Sequence, residues 1–108
     1  MEIREFQQLI RDIYFQKDNQ RGVQGTFLWF VEEVGELAEA IGIYKQQNQE
    51  SLKENIALEI ADIFAWGKSI ANLLDIDLEQ AIKKKYPNHC LKCKSHPCIC
   101  DTKELGNE

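Results

Sequence analysis

Two pairs of acidic residues, each spaced by three positions, are the first feature of the sequence that could do chemistry. They are Glu33 with Glu36 and Glu59 with Asp62. Projected onto α-helices, Glu33 and Glu59 fall inside an apolar stripe, and Glu36 and Asp62 fall at its edge. A carboxylate in an apolar seam is unfavourable unless it is paired, protonated or metal-bound, and neither stripe contains a Lys or Arg. Four carboxylates from two packed helices would supply the oxygen ligands that Mg²⁺ or Mn²⁺ prefers.

The alternative is that these acids form a solvated face whose boundary is misdrawn by one residue. Charged side chains are usually exposed, and that interpretation suits Glu32 and Glu39, which project onto the polar face. It suits the two pairs less well, because two separate helices show the same offset.

All 4 cysteines of the chain lie in one short segment near its C-terminus. Their spacing, C-x2-C-x4-C-x-C, predicts a closed tetrahedral zinc site of the structural kind. Because the last two are close together, His89 or His96 could replace one of them as a ligand. Disulfides and redox sensing are the other interpretations of such a cluster. The four predicted zinc ligands are Cys90, Cys93, Cys98 and Cys100.

Hydrophobic periodicity predicts an all-α fold and gives no strand signal. A loop is expected at 20–25, where two glycines interrupt the pattern, with Thr26 as the N-cap of the following helix. Pro87 is expected to end the last helix. The predicted helices cover residues 2–18, 27–46, 52–74 and 78–85.

The third predicted helix is apolar over more than one face, which is typical of a helix buried on two sides. In a chain of this size we expect the second side to contact another subunit, giving a homo-oligomer. That second surface consists of Ala57, Leu58, Ala61 and Ala65.

Composition narrows the class of protein. Hydrophobic residues make up 44% and charged residues 29% of the 108 residues, as in a folded globular protein. No membrane span or apolar signal core is recognisable, so we expect a cytoplasmic location. The formal net charge of −5 disfavours a nucleic-acid binder, although lysines gather near the cysteines. The expected organisation is a helical domain at 1–87, a zinc-binding tail at 88–101 and a flexible end at 102–108.

The acidic motifs, Glu32-Glu33-Val34-Gly35-Glu36 and Glu59-Ile60-Ala61-Asp62, read E-E-x-x-E, a spacer and E-x-x-D. This paired pattern resembles the MazG-like branch of the all-α nucleoside triphosphate pyrophosphohydrolases. Their relatives include dimeric dUTPases, dCTP pyrophosphatases and phosphoribosyl-ATP pyrophosphohydrolase. The resemblance covers roughly residues 1–87, and the cysteine cluster is not part of the family's common core.

The resemblance implies an antiparallel helical bundle that is a dimer or a dimer of dimers. It also implies Mg²⁺-dependent cleavage of the α–β phosphoanhydride of a nucleoside triphosphate and, at the level of the family, housecleaning of the nucleotide pool. The metal-binding acids of the family carry over to Glu33, Glu36, Glu59 and Asp62. Our first choice for the residue that orients the attacking water is Glu36, and Glu32 is the second.

Five further residues are candidates for substrate binding. Arg21 could hold a phosphate or a base edge, and the tryptophans could stack on a nucleobase. For each there is a plainer interpretation: a solvated arginine or lysine, or a tryptophan of the core. The candidates are Lys17, Arg21, Trp29, Trp66 and Lys68.

The sequence also permits a different class of function. The cysteine segment and its lysines could form a non-catalytic interaction module that binds nucleic acid or a partner protein. Such a module has no need for four carboxylates in an apolar seam, which favours the enzyme.

Overall fold

The computed structural model describes residues 1–101, and the predicted flexible end at 102–108 lies outside them. No strand occurs in the described part of the chain, so the all-α prediction is confirmed. The predicted helices at 52–74 and 78–85 agree with the observed bounds within one residue. The helices are α1 (Ile3–Gln47), α2 (Leu52–Leu73) and α3 (Leu78–Lys85).

The break predicted at 20–25 is present but is confined to Gly22, and the six-residue loop does not form, because the chain is helical up to this glycine and again after it. This glycine has φ 82° and ψ 171°, a region of backbone space that is accessible almost only to glycine. One residue therefore absorbs the whole break, and the chain is helical on both sides. We call residues 3–21 the N-terminal arm of α1 and residues 23–47 its C-terminal arm. Thr26 is not an N-cap; it lies inside the C-terminal arm and is fully buried.

The C-terminal arm and α2 form an antiparallel hairpin. Asn48 ends α1 in the left-handed conformation (φ 51°), and its backbone N–H donates to the carbonyl of Tyr44 at 2.7 Å, a common way to stop a helix. Farther along the hairpin, the rings of Trp29 and Trp66 stack with centroids 6.0 Å apart and planes 7° apart. These contacts fix which residues of α2 face the C-terminal arm.

The N-terminal arm is anchored to the end of α2 by a buried amide. Asn72 is only 6% exposed. Its Nδ2 donates to the carbonyl of Gln7 (3.2 Å), and its Oδ1 accepts from Nε2 of Gln7 (3.0 Å). A guanidinium nitrogen of Arg11 donates to the backbone carbonyl of Asn72 at 3.4 Å. Because a buried amide is costly without partners, this network holds the arm against α2.

Much apolar surface of the described residues stays in contact with solvent. The buried apolar side chains are those of Ile10, Ala40 and Ala71. By contrast, Leu28 is 68% exposed, Leu58 60% and Phe64 59%. Of the predicted second surface of α2, Ala57, Leu58 and Ala61 are exposed and Ala65 is half-buried.

Contacts divide the chain into two compact units, Met1–Asp77 and a second unit that begins at Leu78. The first holds α1 and α2, and the second holds α3 and the cysteine segment. None of the helices within residues 1–101 is long and apolar enough to cross a membrane.

Candidate functional site

Three of the four predicted carboxylates meet between the C-terminal arm of α1 and α2. Glu33 comes from the arm, and Glu59 and Asp62 come from successive turns of α2. Each offers a carboxylate oxygen, and these oxygens all lie within 4.8 Å of one another. That spacing would let one cation contact all three side chains.

Glu36, the fourth predicted ligand, lies one turn beyond Glu33 and is exposed. It is not one of the three residues whose oxygens converge, but its side chain shares a hydrogen bond with that of Glu33. Burial, this hydrogen bond and the neighbouring negative charges raise the pKa of Glu33 from 4.5 to about 7. The site therefore favours a proton, or another positive charge, on Glu33.

Two carboxylate oxygens of the cluster are buried without a hydrogen-bond partner: Oε2 of Glu33 and Oε2 of Glu59. A buried carboxylate oxygen is unfavourable when nothing replaces its lost water. A divalent cation supplies what these oxygens lack, and carboxylates are the donors that Mg²⁺ and Mn²⁺ prefer. The donor set therefore fits the metal that the sequence predicted.

A cleft of about 370 Å³ opens beside this cluster within the first unit, which lies in the size range of small-molecule sites. Glu33 and Asp62 line it on the side of the acids. Three of the five predicted substrate-binding residues line it as well. These are Lys17, Arg21 and Trp66.

Arg21 is held in a fixed position on the wall of the cleft. Its Nη1 donates to Oδ1 of Asp18 at 2.9 Å and lies 3.5 Å from Oγ1 of Thr26. Its guanidinium carbon lies 5.0 Å from the ring centroid of Trp66, a cation–π contact. The arginine crosses Gly25 so closely that a Cβ there would lie 2.7 Å from Cγ of Arg21. Gly25, which the sequence placed in a loop, thus makes room for the side chain of Arg21 within the helix.

Asp18 is a cleft residue that the sequence analysis missed. It is 2% exposed and lines the cleft, and its Oδ2 is buried without a hydrogen-bond partner. The signal in the sequence was the spacing of three between Asp18 and Arg21, which allows an ion pair on a continuous helix. Because the predicted helix ended at residue 18, that pair could not be recognised.

The remaining two substrate candidates do not line the cleft. Trp29 is 47% exposed and contacts the cleft only through its stack on Trp66. Lys68 is 5% exposed, with Nζ 5.4 Å from the ring centroids of both Phe6 and Phe64, and burial lowers the pKa of its amine. The structure therefore does not bring Lys68 to the acids.

The polar-face acids, Glu32 and Glu39, are both exposed. Exposure does not separate them from Glu36 and Asp62, which are exposed as well; only Glu33 and Glu59, the two acids projected inside the apolar stripes, are half-buried. Glu32 is therefore accessible to water, as the second candidate for orienting the attacking water must be.

The second unit gathers the four cysteines, all of them free thiols. Their Sγ atoms all lie within 4.8 Å of one another. Backbone hydrogen bonds from Ile99 and Ser95 lower the pKa of the Cys93 thiol from 9.0 to about 6. Neither His89 nor His96 belongs to the cluster, which consists of the four cysteines alone.

A comparison with protein families matches residues 21–93 to the MazG nucleotide pyrophosphohydrolase domain. That range contains the acidic pairs and Trp66. It also contains Cys90 and Cys93 but ends before Cys98 and Cys100. A comparison with curated proteins found no match.

Proposed function

This chain belongs to the MazG nucleotide pyrophosphohydrolase family, and from that premise we propose that it hydrolyses a nucleoside triphosphate, or its deoxy form, to the monophosphate and pyrophosphate. Such a substrate is strongly anionic, and so is the acidic cluster. A divalent cation must therefore stand between them. The wider class of activity follows from the family, whereas the metal and the reaction products are our proposal.

The observation that carries the proposal is the convergence of Glu33, Glu59 and Asp62, with two buried oxygens that lack partners. These three residues would hold Mg²⁺ or Mn²⁺, with Glu36 next to Glu33 as the fourth ligand or as the group that orients water. The cation, when bound, neutralises phosphate oxygens and polarises the phosphoanhydride. A non-catalytic module would leave this costly arrangement of acids without a role.

The attacking water needs a carboxylate that the cation does not saturate. Glu36 suits this part because it is exposed and lies beside Glu33. Glu32 is the second candidate, since it is also exposed. Either residue would accept the proton of the water as it attacks the α-phosphorus in line with the departing pyrophosphate.

The cleft beside the acids would hold the rest of the nucleotide. Trp66 offers an aromatic surface for a base, and its ring is held by the stack on Trp29; because Arg21 also lies over this ring, a base would contact the part of the ring that the arginine leaves open. Lys17 is the cleft cation that could contact phosphate. Arg21 is already paired with Asp18 and Trp66, so it would order the wall of the cleft and present its remaining N–H groups to the substrate.

We also propose that the protein works as a homo-oligomer. Leu58, Ala57 and Ala61 expose an apolar surface on α2, and large exposed apolar patches mark protein interfaces in soluble proteins. Self-association of this surface around a twofold axis would bury it.

The test is a panel of all standard nucleoside and deoxynucleoside triphosphates, together with several modified ones, incubated with purified protein and Mg²⁺. We expect metal-dependent release of a monophosphate and pyrophosphate from at least one of them. Release of orthophosphate alone would place the protein in another class of hydrolases. Absence of any metal-dependent turnover would reject the enzymatic proposal and favour the interaction module.

A further inference from the structure

The four thiols of the second unit are arranged in two close pairs. The Sγ atoms of Cys90 and Cys100 are 3.7 Å apart, and those of Cys93 and Cys98 are 3.9 Å apart. A disulfide joins two sulfurs at about 2.05 Å, so neither pair is bonded.

These distances match the edges of a metal-centred tetrahedron. Four thiolates at a Zn–S distance of about 2.3 Å stand about 3.8 Å from one another. Both measured pairs agree with that value, and all four sulfurs lie within 4.8 Å of one another. The cluster can therefore close around one ion with only small movements.

The backbone around the thiols is folded to present them. The N–H of Lys94 donates to the carbonyl of Cys90 at 2.7 Å, and the N–H of Cys90 donates to the carbonyl of Ser95 at 2.9 Å. Two N–H groups point at sulfur: that of Ile99 lies 3.4 Å from Sγ of Cys93, and that of Cys100 lies 3.3 Å from Sγ of Cys98. Such donors orient the sulfurs, as the outer hydrogen bonds of a metal site do.

We propose that Cys90, Cys93, Cys98 and Cys100 bind one Zn²⁺ in a closed, four-sulfur site that holds residues 88–101 in their fold and takes no part in hydrolysis. Binding replaces the thiol protons, which pass to the solvent. The site has no open position for a water or substrate, because all four corners of the tetrahedron are sulfur. The exposed histidines are not ligands, which removes an alternative that the sequence alone left open.

The ligands restrict the metal to a soft ion such as zinc, and the fold indicates that its role is structural. Thiolates are soft ligands that select zinc and iron and reject magnesium. The described part of this segment contains no helix or strand beyond Lys85, and Leu91 and Ile99 are exposed. A segment without a core of its own takes its folding free energy from the metal.

The experiment measures metal content and thiol reactivity on the full chain purified under reducing conditions. We expect about one zinc per chain and no iron. In the native protein the four thiols should react slowly with a thiol reagent, and a strong chelator should release zinc and expose all four. Iron in place of zinc, or less than a fifth of an equivalent of any metal, would overturn the proposal.

Two double variants identify the ligands. Cys98→Ser with Cys100→Ser should lose the zinc, and the matched control, His89→Ala with His96→Ala, should retain it. Loss of zinc from the histidine variant, or retention by the serine variant, would overturn the four-sulfur assignment. In case the serine variant does not fold, the wild-type chain stripped of zinc is titrated with Co²⁺. An absorption spectrum of tetrahedral cobalt with four thiolates supports the site, and an octahedral spectrum contradicts it.

Discussion

The two units of this chain each collect side chains that could hold a cation, but they do so on different supports. In the first unit, rigid helices carry Glu33, Glu59 and Asp62, so the acids meet whether or not a metal is present. In the second, turns carry four thiols, and the described segment has little besides those turns to hold its shape. The helices determine the acidic site, whereas the thiol site must determine the fold around it. If both sites bind metal as proposed, we expect the first to exchange its metal readily and the second to retain it.

The largest effect that would distinguish the two sites is expected from Glu59→Gln. The amide keeps the shape of the side chain but loses the charge that a cation needs. Changes around metal ligands cost about 10–100-fold, so loss of a ligand itself should lower kcat/KM by about 100-fold or more. The zinc content should not change. Steady-state kinetics and elemental analysis of the same preparation measure both.

Glu39→Gln is the matched control for that variant, because Glu39 is an exposed acid of the C-terminal arm that does not face the cluster. We expect its kcat/KM to stay within about twofold of wild type, as for a surface change. Near-normal activity of Glu59→Gln would show that the acidic site is wrongly assigned.

Removal of both metals followed by return of one should separate the sites further. After a strong chelator has stripped the protein, addition of Mg²⁺ alone should restore hydrolysis, since every proposed catalytic residue lies in the first unit. Addition of Zn²⁺ alone, at one equivalent per chain, should restore the protected thiols and little activity. If Mg²⁺ restores nothing until zinc is returned, the cysteine unit also shapes the active site.

The difference in support also explains how much the sequence could predict. The periodicity of α2 gave its bounds and the placing of Glu59, because a long helix fixes the direction of every side chain. The periodicity did not distinguish the roles of Gly22 and Gly25. Gly22 interrupts α1, whereas Gly25 makes room for the side chain of Arg21. Only the packed structure distinguishes these roles. The paired Asp18 and Arg21 were missed for the same reason: their contact requires the helix to continue.

Leu58→Glu tests whether the exposed face of α2 is the surface that completes the first unit. Leu58 is 60% exposed in the single chain, so a glutamate there costs little unless another copy covers it. We expect an oligomer for the wild type and a 12.5 kDa species for the variant, by sedimentation at micromolar concentration. A wild-type protein that sediments only as a 12.5 kDa species would contradict the proposed oligomer.

The pH dependence of stability should differ between the metal-free and the magnesium-bound first unit. Without metal, the pKa of Glu33 is about 7 when folded and near 4.5 when unfolded, so the folded state binds this proton more tightly. The stabilisation is complete below pH 4.5 and is lost as pH rises through 7, by linkage.

Urea unfolding without Mg²⁺ should therefore give a smaller free energy of unfolding at about pH 8 than at about pH 5. Mg²⁺ should restore stability at the higher pH, where Glu33 is charged and can bind it. Glu33→Gln should lose much of this pH dependence and of the response to Mg²⁺. If the free energy of unfolding of Glu33→Gln depends on pH as strongly as that of the wild type, other titrating groups cause the dependence.

The smallest effects are expected from backbone changes, and they should have opposite signs in the two units. Gly22 has φ 82° and ψ 171°, a conformation that costs another residue about 1–3 kcal/mol, so Gly22→Ala should destabilise the first unit by that amount. Lys94 has φ 63°, where glycine is favoured, so Lys94→Gly should stabilise the cysteine unit by at most about 1 kcal/mol after the entropy of the unfolded chain is counted. Urea unfolding measures the first change, and competition with a zinc chelator measures the second.

Gly42→Ala is the control for Gly22→Ala, because Gly42 has no atom within 4 Å of an added Cβ and lies inside a helix, where alanine is preferred by about 1 kcal/mol. Destabilisation by Gly42→Ala equal to that by Gly22→Ala would mean that the interruption of α1 does not depend on glycine.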